Sequence, residues 1–438
     1  MLCPDYDVIV AGGGPSGAAA ALAAARNGSR TLLIESNGYL GGTVTHGSLP
    51  ALCPFTNTDE PLIRGIGLEI LEALKKETRL VEYYHDSPEK PLYNWYPVDT
   101  EAFKRVLDDK VAESGCELLL HTHVIGCTTE AGRVISVTCH TPGGILSFGA
   151  KVFVDCTGDA VLASAAKCET WLGGERGDVQ SGTLCFKIAN FDTDRFIRYA
   201  RKTGEGGNLL NACRKAMAEG RFPEGETRVA GISFPSPGVA ALNFGHLYDI
   251  DPLDAASLTR AEIEGRKSLK ELVSFLRRYV PGAEEAVLVH SGPAVGVRES
   301  RRVKGRYTLT RDDFMRRADF EDAVAYYCYP IDVHSSRMHE DGEWNDVYYN
   351  RRYQPGEAYG IPYRCLTPAG MDNLLTAGKI ISCDHAMLGS VRVVPCCFAT
   401  GQAAGTAAAM AAKESVGACG VDTERLRDAL RKQGCFLR

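Results

Sequence analysis

Between Asp7 and Glu35 the chain reads as a strand, a glycine turn, a helix and a second strand, and nothing else in the sequence limits the fold as strongly. Residues 7–11 (DVIVA) are a short β-branched run of the kind that forms a parallel strand buried on both faces. Gly12-Gly13-Gly14-Pro15-Ser16-Gly17 breaks the run, residues 18–27 read as an Ala-rich helix stopped at Gly28, and residues 31–34 (TLLI) give the second strand. Together they predict one βαβ unit with a right-handed crossover. The glycines fall as G-x-G-x-x-G at Gly12, Gly14 and Gly17. The first permits a tight turn, the second lets a phosphate approach the backbone, and the third lets helix and strand pack closely. Pro15 and Ser16 stand at the helix N-terminus, where free N–H groups and about half a positive charge suit a pyrophosphate. Glu35, ending the second strand, offers a carboxylate to a ribose hydroxyl and would repel a 2′-phosphate, which argues against NADP. The unit therefore predicts a dinucleotide site.

The rest of the composition narrows the class. A chain of 438 residues, 45% hydrophobic and 24% charged, is neither a disordered tail nor a membrane bundle. At roughly 150 residues per domain it holds two or three folding units. A net charge of −6 gives no general attraction for nucleic acid or anionic lipid, so neither is expected as a partner. The longest low-charge stretch, residues 398–412, is too short and too weakly apolar to span a bilayer. The opening MLCPDYD has no basic region ahead of an apolar run, so a cytoplasmic protein without a leader is expected. None of the 16 cysteines sits in a C-x-x-C pair or at zinc spacing, so no metal is expected and the thiols read as small buried hydrophobes.

After Glu35 come Ser36, Asn37, Gly38, Tyr39, Leu40, Gly41, Gly42 and Thr43. A second glycine pair here suits a ligand that continues past its pyrophosphate; an ordinary loop is the alternative. This stretch, with the unit before it, resembles the glutathione-reductase-type FAD-binding flavoproteins. The resemblance implies FAD, an α/β fold with a Rossmann-like FAD-binding domain, and cofactor contacts from Gly12, Gly14, Pro15, Ser16, Gly17, Glu35, Ser36, Gly41, Gly42 and Thr43.

Further along, residues 63–77 have helical spacing, residues 78–98 read as irregular, and Asp99 caps a helix ending near Gly115. Residues 116–124 read as one strand, 133–139 and 145–148 as a small antiparallel sheet, and 151–155 as another buried strand running into Cys156-Thr157-Gly158-Asp159. In the resembled flavoproteins such a strand and Thr-Gly turn return the chain to the cofactor, and the segment near His123 and Val124 lies beside the adenine. That implies contacts from Val124, Thr157, Gly158 and Asp159, although a plain turn-forming Asp159 is equally consistent with the residues. Residues 165–345 change character, to amphipathic helices, aromatic strands and polar loops. They predict an inserted α+β substrate (cap) domain, leaving 1–164 and 346–438 as a discontinuous FAD-binding domain. Within it, Thr259 and Glu262 read as a capping box. Residues 373–377 form a strand entering Gly378, and Pro395 begins a long Ala/Gly-rich helix over about 396–413. The resemblance implies that Gly378 holds the ribityl–pyrophosphate region. It also implies that the helix N-terminus, with Cys396 and Cys397, faces the flavin pyrimidine edge.

Three further stretches sharpen the resemblance: Gly296-Val297-Arg298-Glu299-Ser300-Arg301-Arg302; Ile361-Pro362-Tyr363-Arg364-Cys365-Leu366; and Ala377-Gly378 leading to Ser390-Val391-Arg392 and Gly401-Gln402-Ala403-Ala404-Gly405. Together they resemble FAD-dependent oxidoreductases of the succinate dehydrogenase/fumarate reductase-like branch, from Asp7 to about Ala412 and weakest over 165–255. Some relatives attach the flavin to a His soon after the ribose Glu. Here Thr43 occupies that region and His46 lies just beyond, so a non-covalent FAD is expected. Arg392 matches a place where relatives bind a substrate carboxylate or move protons. His385 is the acid–base candidate, with a structural His as the alternative. Arg301, with Arg298, would either hold an anionic substrate or fix a domain interface, and Tyr327, Tyr329 and His334 would wall the cap domain or simply pack. Cys396 at a helix N-terminus would have a lowered pKa.

The reading that follows is an FAD-dependent oxidoreductase. It would transfer a hydride between flavin N5 and a small oxygenated or anionic metabolite, with an electron partner and oligomeric state left open. An NAD-only dehydrogenase is one alternative. A flavin-binding protein that is non-catalytic or performs non-redox chemistry is the other.

Overall fold

The computed structural model describes residues 6–57, 60–81, 95–226, 228–338 and 353–438. Most of the stretch read as irregular and the boundary at residue 345 lie outside the described residues.

The β-branched run forms the strand Tyr6–Ala11, pairing in parallel with Thr31–Ile34 on one side and with the end of Gly144–Asp155 on the other. Thr31–Ile34 and residues 152–155 of the other neighbour are fully or nearly fully buried, as expected beside a parallel strand with helices on both faces. The sheet has seven strands. Its path runs Glu117–Leu119, Thr31–Ile34, Tyr6–Ala11, Gly144–Asp155, Arg133–Thr141 and His123–Glu130, and Leu374–Thr376 pairs in parallel with Gly144–Asp155. Gly144–Asp155 is the hinge of this topology: its first half is antiparallel to Arg133–Thr141 and its second half parallel to Tyr6–Ala11.

Two expectations are corrected here. Residues 145–148 and 151–155 are one strand, because the chain changes partner at Gly149 and Ala150 without breaking. Residues 116–124 are instead split between Glu117–Leu119 and His123–Glu130. His121 adopts φ 52°, and the His121 and Thr122 N–H groups donate to the Asn37 and Glu35 carbonyls.

A second, wholly antiparallel sheet runs Gly231–Ser236, Val239–Asn243, Phe186–Ala189 and Val287–Ser291. Its buried side chains, from Leu184 to Val295, form a cluster of their own with the helix Ala255–Tyr279. Leu309 to Ile331 pack instead with the core around the first sheet. The capping box at Thr259 and Glu262 is also corrected. The helix begins a turn earlier, where the Asp254 carboxylate accepts from the Ala256 and Ser257 N–H groups, and the Thr259 hydroxyl bonds back to the Ala255 carbonyl. The Asp99 cap stands, accepting from Glu101 and Ala102, and that helix, Thr100–Ser114, ends at Gly115.

Helix Pro15–Arg26 packs along helix Val394–Glu414, and two glycines permit it. A Cβ on Gly401 would lie 2.2 Å from the Ser16 carbonyl oxygen, and one on Gly405 2.1 Å from that of Ala20. Among the described residues no single helix is long and apolar enough to cross a membrane. The bent pair His385–Val391 and Val394–Glu414 passes that test only by length and composition.

Candidate functional site

Gly12 leaves the first strand with φ +95°, and a Cβ there would sit 2.5 Å from the Cys156 carbonyl oxygen. A Cβ on Gly17 would lie 1.7 Å from the Gly12 oxygen, so the helix can follow the strand this tightly only with glycine at both positions. The helix starting at Pro15 has Gly14 as its N-cap and no side-chain cap, which leaves its first turn open to an anion. Glu35 is buried. Its Oε1 accepts from Ser36 Oγ and from the Asn37 N–H and Nδ2, whereas its Oε2 accepts from the Gly13 N–H at 2.7 Å. Oε2 accepts that one bond alone among the described residues, which leaves it capacity for a ribose hydroxyl. The second glycine pair lies on the first: Gly41 N–H donates to the Gly13 carbonyl at 2.9 Å, and a Cβ on Gly42 would meet Gly14 Cα at 2.8 Å. Thr43 follows within the short helical turn Gly42–Val44.

The C-terminal turns reach the same place. Gly378 lies beside Ser16 and Cys397, since a Cβ on it would be 2.6 Å from Ser16 Oγ and 3.8 Å from Cys397 Sγ. Gly158 faces Lys379, whose Nζ is 3.8 Å from Asp159 Oδ1 and donates to the Val297 carbonyl at 3.0 Å. Asp155 fixes that turn by accepting from the Thr157 N–H and hydroxyl and from the Ala163 N–H. Val124 lies two residues past Thr122, whose N–H binds the Glu35 carbonyl at 2.9 Å. Gly12, Gly14, Ser16, Gly17, Glu35, Gly41, Gly42, Thr157, Gly378 and Cys397 thus gather around one cradle of glycines and helix starts, whose open backbone N–H groups and close backbone approach fit FAD; no contact among the described residues places Val124 or Cys396 there.

The candidate chemical residues separate into three groups. Arg301 donates to the Asp159 carbonyl at 2.8 Å and to Ser164 Oγ at 2.9 Å, so it fastens the Thr157–Gly158 turn. His385 Nδ1 lies 2.9 Å from Glu299 Oε1. Glu299 is fully buried and paired with Arg302, which also donates to the Cys383 and Gly173 carbonyls. Arg392 faces a different cluster. Its Nη2 donates to the Asp332 backbone oxygen at 2.9 Å and lies 3.4 Å from Asp332 Oδ2, while its Nε is buried without a partner among the described residues. Arg298 lies beside this cluster, donating to the Ser181 carbonyl at 2.6 Å and to Thr183 Oγ1 at 2.9 Å. Burial, reinforced by the charge on Arg392, lowers its pKa to about 10. Burial opposes the charge on Asp332, but His334, Arg392 and Arg228 outweigh it and hold this carboxyl far below the ordinary range.

The thiol expectation is corrected. Burial drives Cys396 well above its ordinary value despite the helix N-terminus, and Cys397 up to about 12, so both are neutral thiols. Tyr327 packs in the first core with its hydroxyl on the Cys53 and Pro54 carbonyls. Sequence reasoning missed Lys379, Gln180, Glu226, His246 and Asp332. Asp332 and His334 shared a visible segment, but only the folded chain brings Glu226 and His246 to them.

The sequence model of the family described as FAD dependent oxidoreductase matches residues 7–430. The chain belongs to that family. Its cofactor is FAD and it is a flavin-dependent enzyme. No curated protein matches the sequence at a significant level. Among solved structures, this family member is similar to p-nitrophenol 4-monooxygenase PnpA from Pseudomonas putida, with 13% identity over 98% of this chain and 84% of that one and a TM-score of 0.51. It is also similar to the myxobacterial chondrochloren halogenase CndH, with 14% identity over 98% and 79% and a TM-score of 0.51. The flavin-dependent brominase Bmp2 gives 14% identity over 98% and 83% and a TM-score of 0.50. At these identities the likeness is one of fold.

Proposed function

We propose that this enzyme moves a hydride between its FAD and a small oxygenated or anionic metabolite held between Arg392 and Arg298. Bound FAD supplies a two-electron hydride acceptor or donor. One observation carries the reading: Arg392 Nε is buried without a partner among the described residues, although Nη2 of the same guanidinium is fixed on Asp332. A buried cationic donor left unpaired costs free energy, and a ligand oxygen would supply the missing acceptor. Arg298 adds a second buried positive charge, so the pair favours an anion or an oxygen that becomes one. Thr183 and Asn243 hold Arg298 from the second sheet's side. We therefore assign one wall of the substrate site to the interval 165–345, built on the cluster from Leu184 to Val295, and the other wall to Arg392. The FAD is held without a covalent link, a reading supported by His46, whose Nδ1 lies 2.9 Å from the Tyr39 hydroxyl. The electron partner is a second substrate, dioxygen or another protein, and the reduced thiols suit a cytoplasmic setting.

The test is anaerobic mixing of the yellow holoenzyme with panels of small hydroxy, amino and carboxylate donors. The right donor bleaches the flavin. Arg392→Lys keeps the charge but loses the planar fork, so it should slow bleaching about 100-fold while FAD content stays unchanged. A flavin inert to the whole donor panel and, once reduced, to an acceptor panel would overturn the reading.

A further inference from the structure

Beside Arg392 and Arg298 lies a chain of hydrogen bonds that neither the FAD cradle nor the His385 network uses. Glu226 Oε2 is 2.8 Å from His246 Nδ1, and His246 Nε2 is 2.9 Å from His334 Nδ1. His334 Nε2 is 3.5 Å from Asp332 Oδ2, and Asp332 holds Arg392. Glu226 also accepts from the His246 backbone N–H, so that residue is held by the carboxylate at both backbone and ring. The Gln180 side-chain oxygen accepts from the His334 backbone N–H, while its Nε2 is a second buried donor without a partner among the described residues. Side-chain exposures are 4% for Glu226, 15% for His246, 10% for His334 and 18% for Asp332, so water competes little along the chain.

We propose that His334 exchanges the substrate's proton and that the His246–Glu226 pair stores it. This relay rests on the reading of Arg392 and Arg298 as the substrate site. With Glu226 as the carboxylate, the hydrogen-bond inventory gives each ring one tautomer in each state. In the resting state the Glu226 carboxylate accepts from His246 Nδ1–H, which leaves His246 Nε2 as an acceptor. His334 therefore donates through Nδ1–H, and its Nε2 lone pair lies 3.5 Å from Asp332 Oδ2, at the edge of the Arg392 site. When a substrate hydroxyl gives its proton to that lone pair, the O–H bond breaks and a new N–H bond forms at Nε2. The Nδ1 proton crosses to His246 Nε2, and the positive charge settles on His246 beside the Glu226 carboxylate. His334 ends neutral, in the opposite tautomer, with its Nε2–H towards Asp332. One proton enters and none is lost; the reverse sequence delivers a proton. The surroundings of His334 favour this division. Burial first, and then the charge on Arg298, depress its pKa to about 3, against the opposing pull of Asp332. His334 is thus a poor place to keep a charge but can pass a proton through to a neighbour with its own carboxylate.

The experiment is nitrogen NMR of the full-length holoenzyme carrying 15N-imidazole histidine, titrated over about pH 5–9, where histidines change charge. The expected result is a switch of His334 from the Nδ1–H to the Nε2–H tautomer in step with protonation of His246, with one shared midpoint. Glu226→Gln should lose the switch and Glu226→Asp should restore it. A His334 that takes a second proton itself, or keeps one tautomer throughout, overturns the relay. If Glu226→Gln does not fold, the wild-type titration decides alone. The measurement needs no turnover, so its failure is distinct from failure of the substrate reading. A frozen His334 in a protein that donors do reduce sinks only the relay, and a working switch in a flavin-inert protein sinks the substrate reading.

Discussion

Gly12 shows how much one residue can decide. Its φ of +95° lies in the left-handed region, and the Cys156 carbonyl occupies the place a side chain would need. Gly12→Ala must therefore shift the turn that starts the helix whose N-terminus we propose binds the pyrophosphate. The purified variant should fold but carry less than about a tenth of the wild-type FAD per chain, since a misplacement of order 1 Å at an anion cradle costs about tenfold or more. The ratio of flavin to protein absorbance checks this, and an unchanged ratio would refute the role of the turn. The same residue was legible in the sequence because G-x-G-x-x-G encodes backbone conformation directly. Arg392 was legible only as a place in a motif; its unpartnered Nε depends on Asp332, sixty residues away in the chain. Cys396 was misread for the converse reason. The helix N-terminus is a local feature, whereas the burial that overrides it is set by the whole core.

Elements were read best where their period matched their burial. Helix Val394–Glu414 carries no amphipathic pattern because it is buried nearly all round, and its Ala/Gly composition marked it correctly. What composition could not give is its partner. Gly401 and Gly405, one turn apart, bring it against the Ser16 and Ala20 carbonyls of helix Pro15–Arg26, so the last long helix clamps that helix. Both faces are backbone, which cannot move aside as a flexible side chain would. Gly405→Ala should destabilise the fold by about 1–3 kcal/mol, visible as a lower urea midpoint with an unchanged slope, and Gly401→Ala should add FAD loss because it pushes on Ser16. An unshifted midpoint for Gly405→Ala would show that the helices separate at no cost. Element ends were read less well. The Thr259/Glu262 pattern was a real capping sequence, but Asp254 with Ser257 three residues later closes the helix start first. Register was invisible too: nothing local announces that Gly144–Asp155 swaps an antiparallel partner for a parallel one in mid-strand.

At the scale of the molecule, the candidate site is where two cores meet. The second sheet's surroundings contribute Thr183, Asn243 and His246, and the first core's side contributes Asp332 and Arg392, with Arg298 and His334 between them. Burying ionisable groups at such a junction ties folding to pH, and the sign follows from His334. Its folded pKa is depressed to about 3 from an ordinary value of 6.5, so between those limits the unfolded chain binds a proton that the folded chain refuses. Stability must then rise with pH across that window and level off above it; on acidification it falls as pH drops below about 6.5. His46, lowered by its own burial, adds a slope of the same sign. Denaturant unfolding of the holoenzyme at pH 5 and at pH 7.5 should show lower stability at the acid value. His334→Asn cannot take up that proton in either state, so its loss between the two pH values should be smaller than the wild type's. Equal losses would place His334 in a solvated setting, and the junction would then be open to water rather than sealed by the two cores.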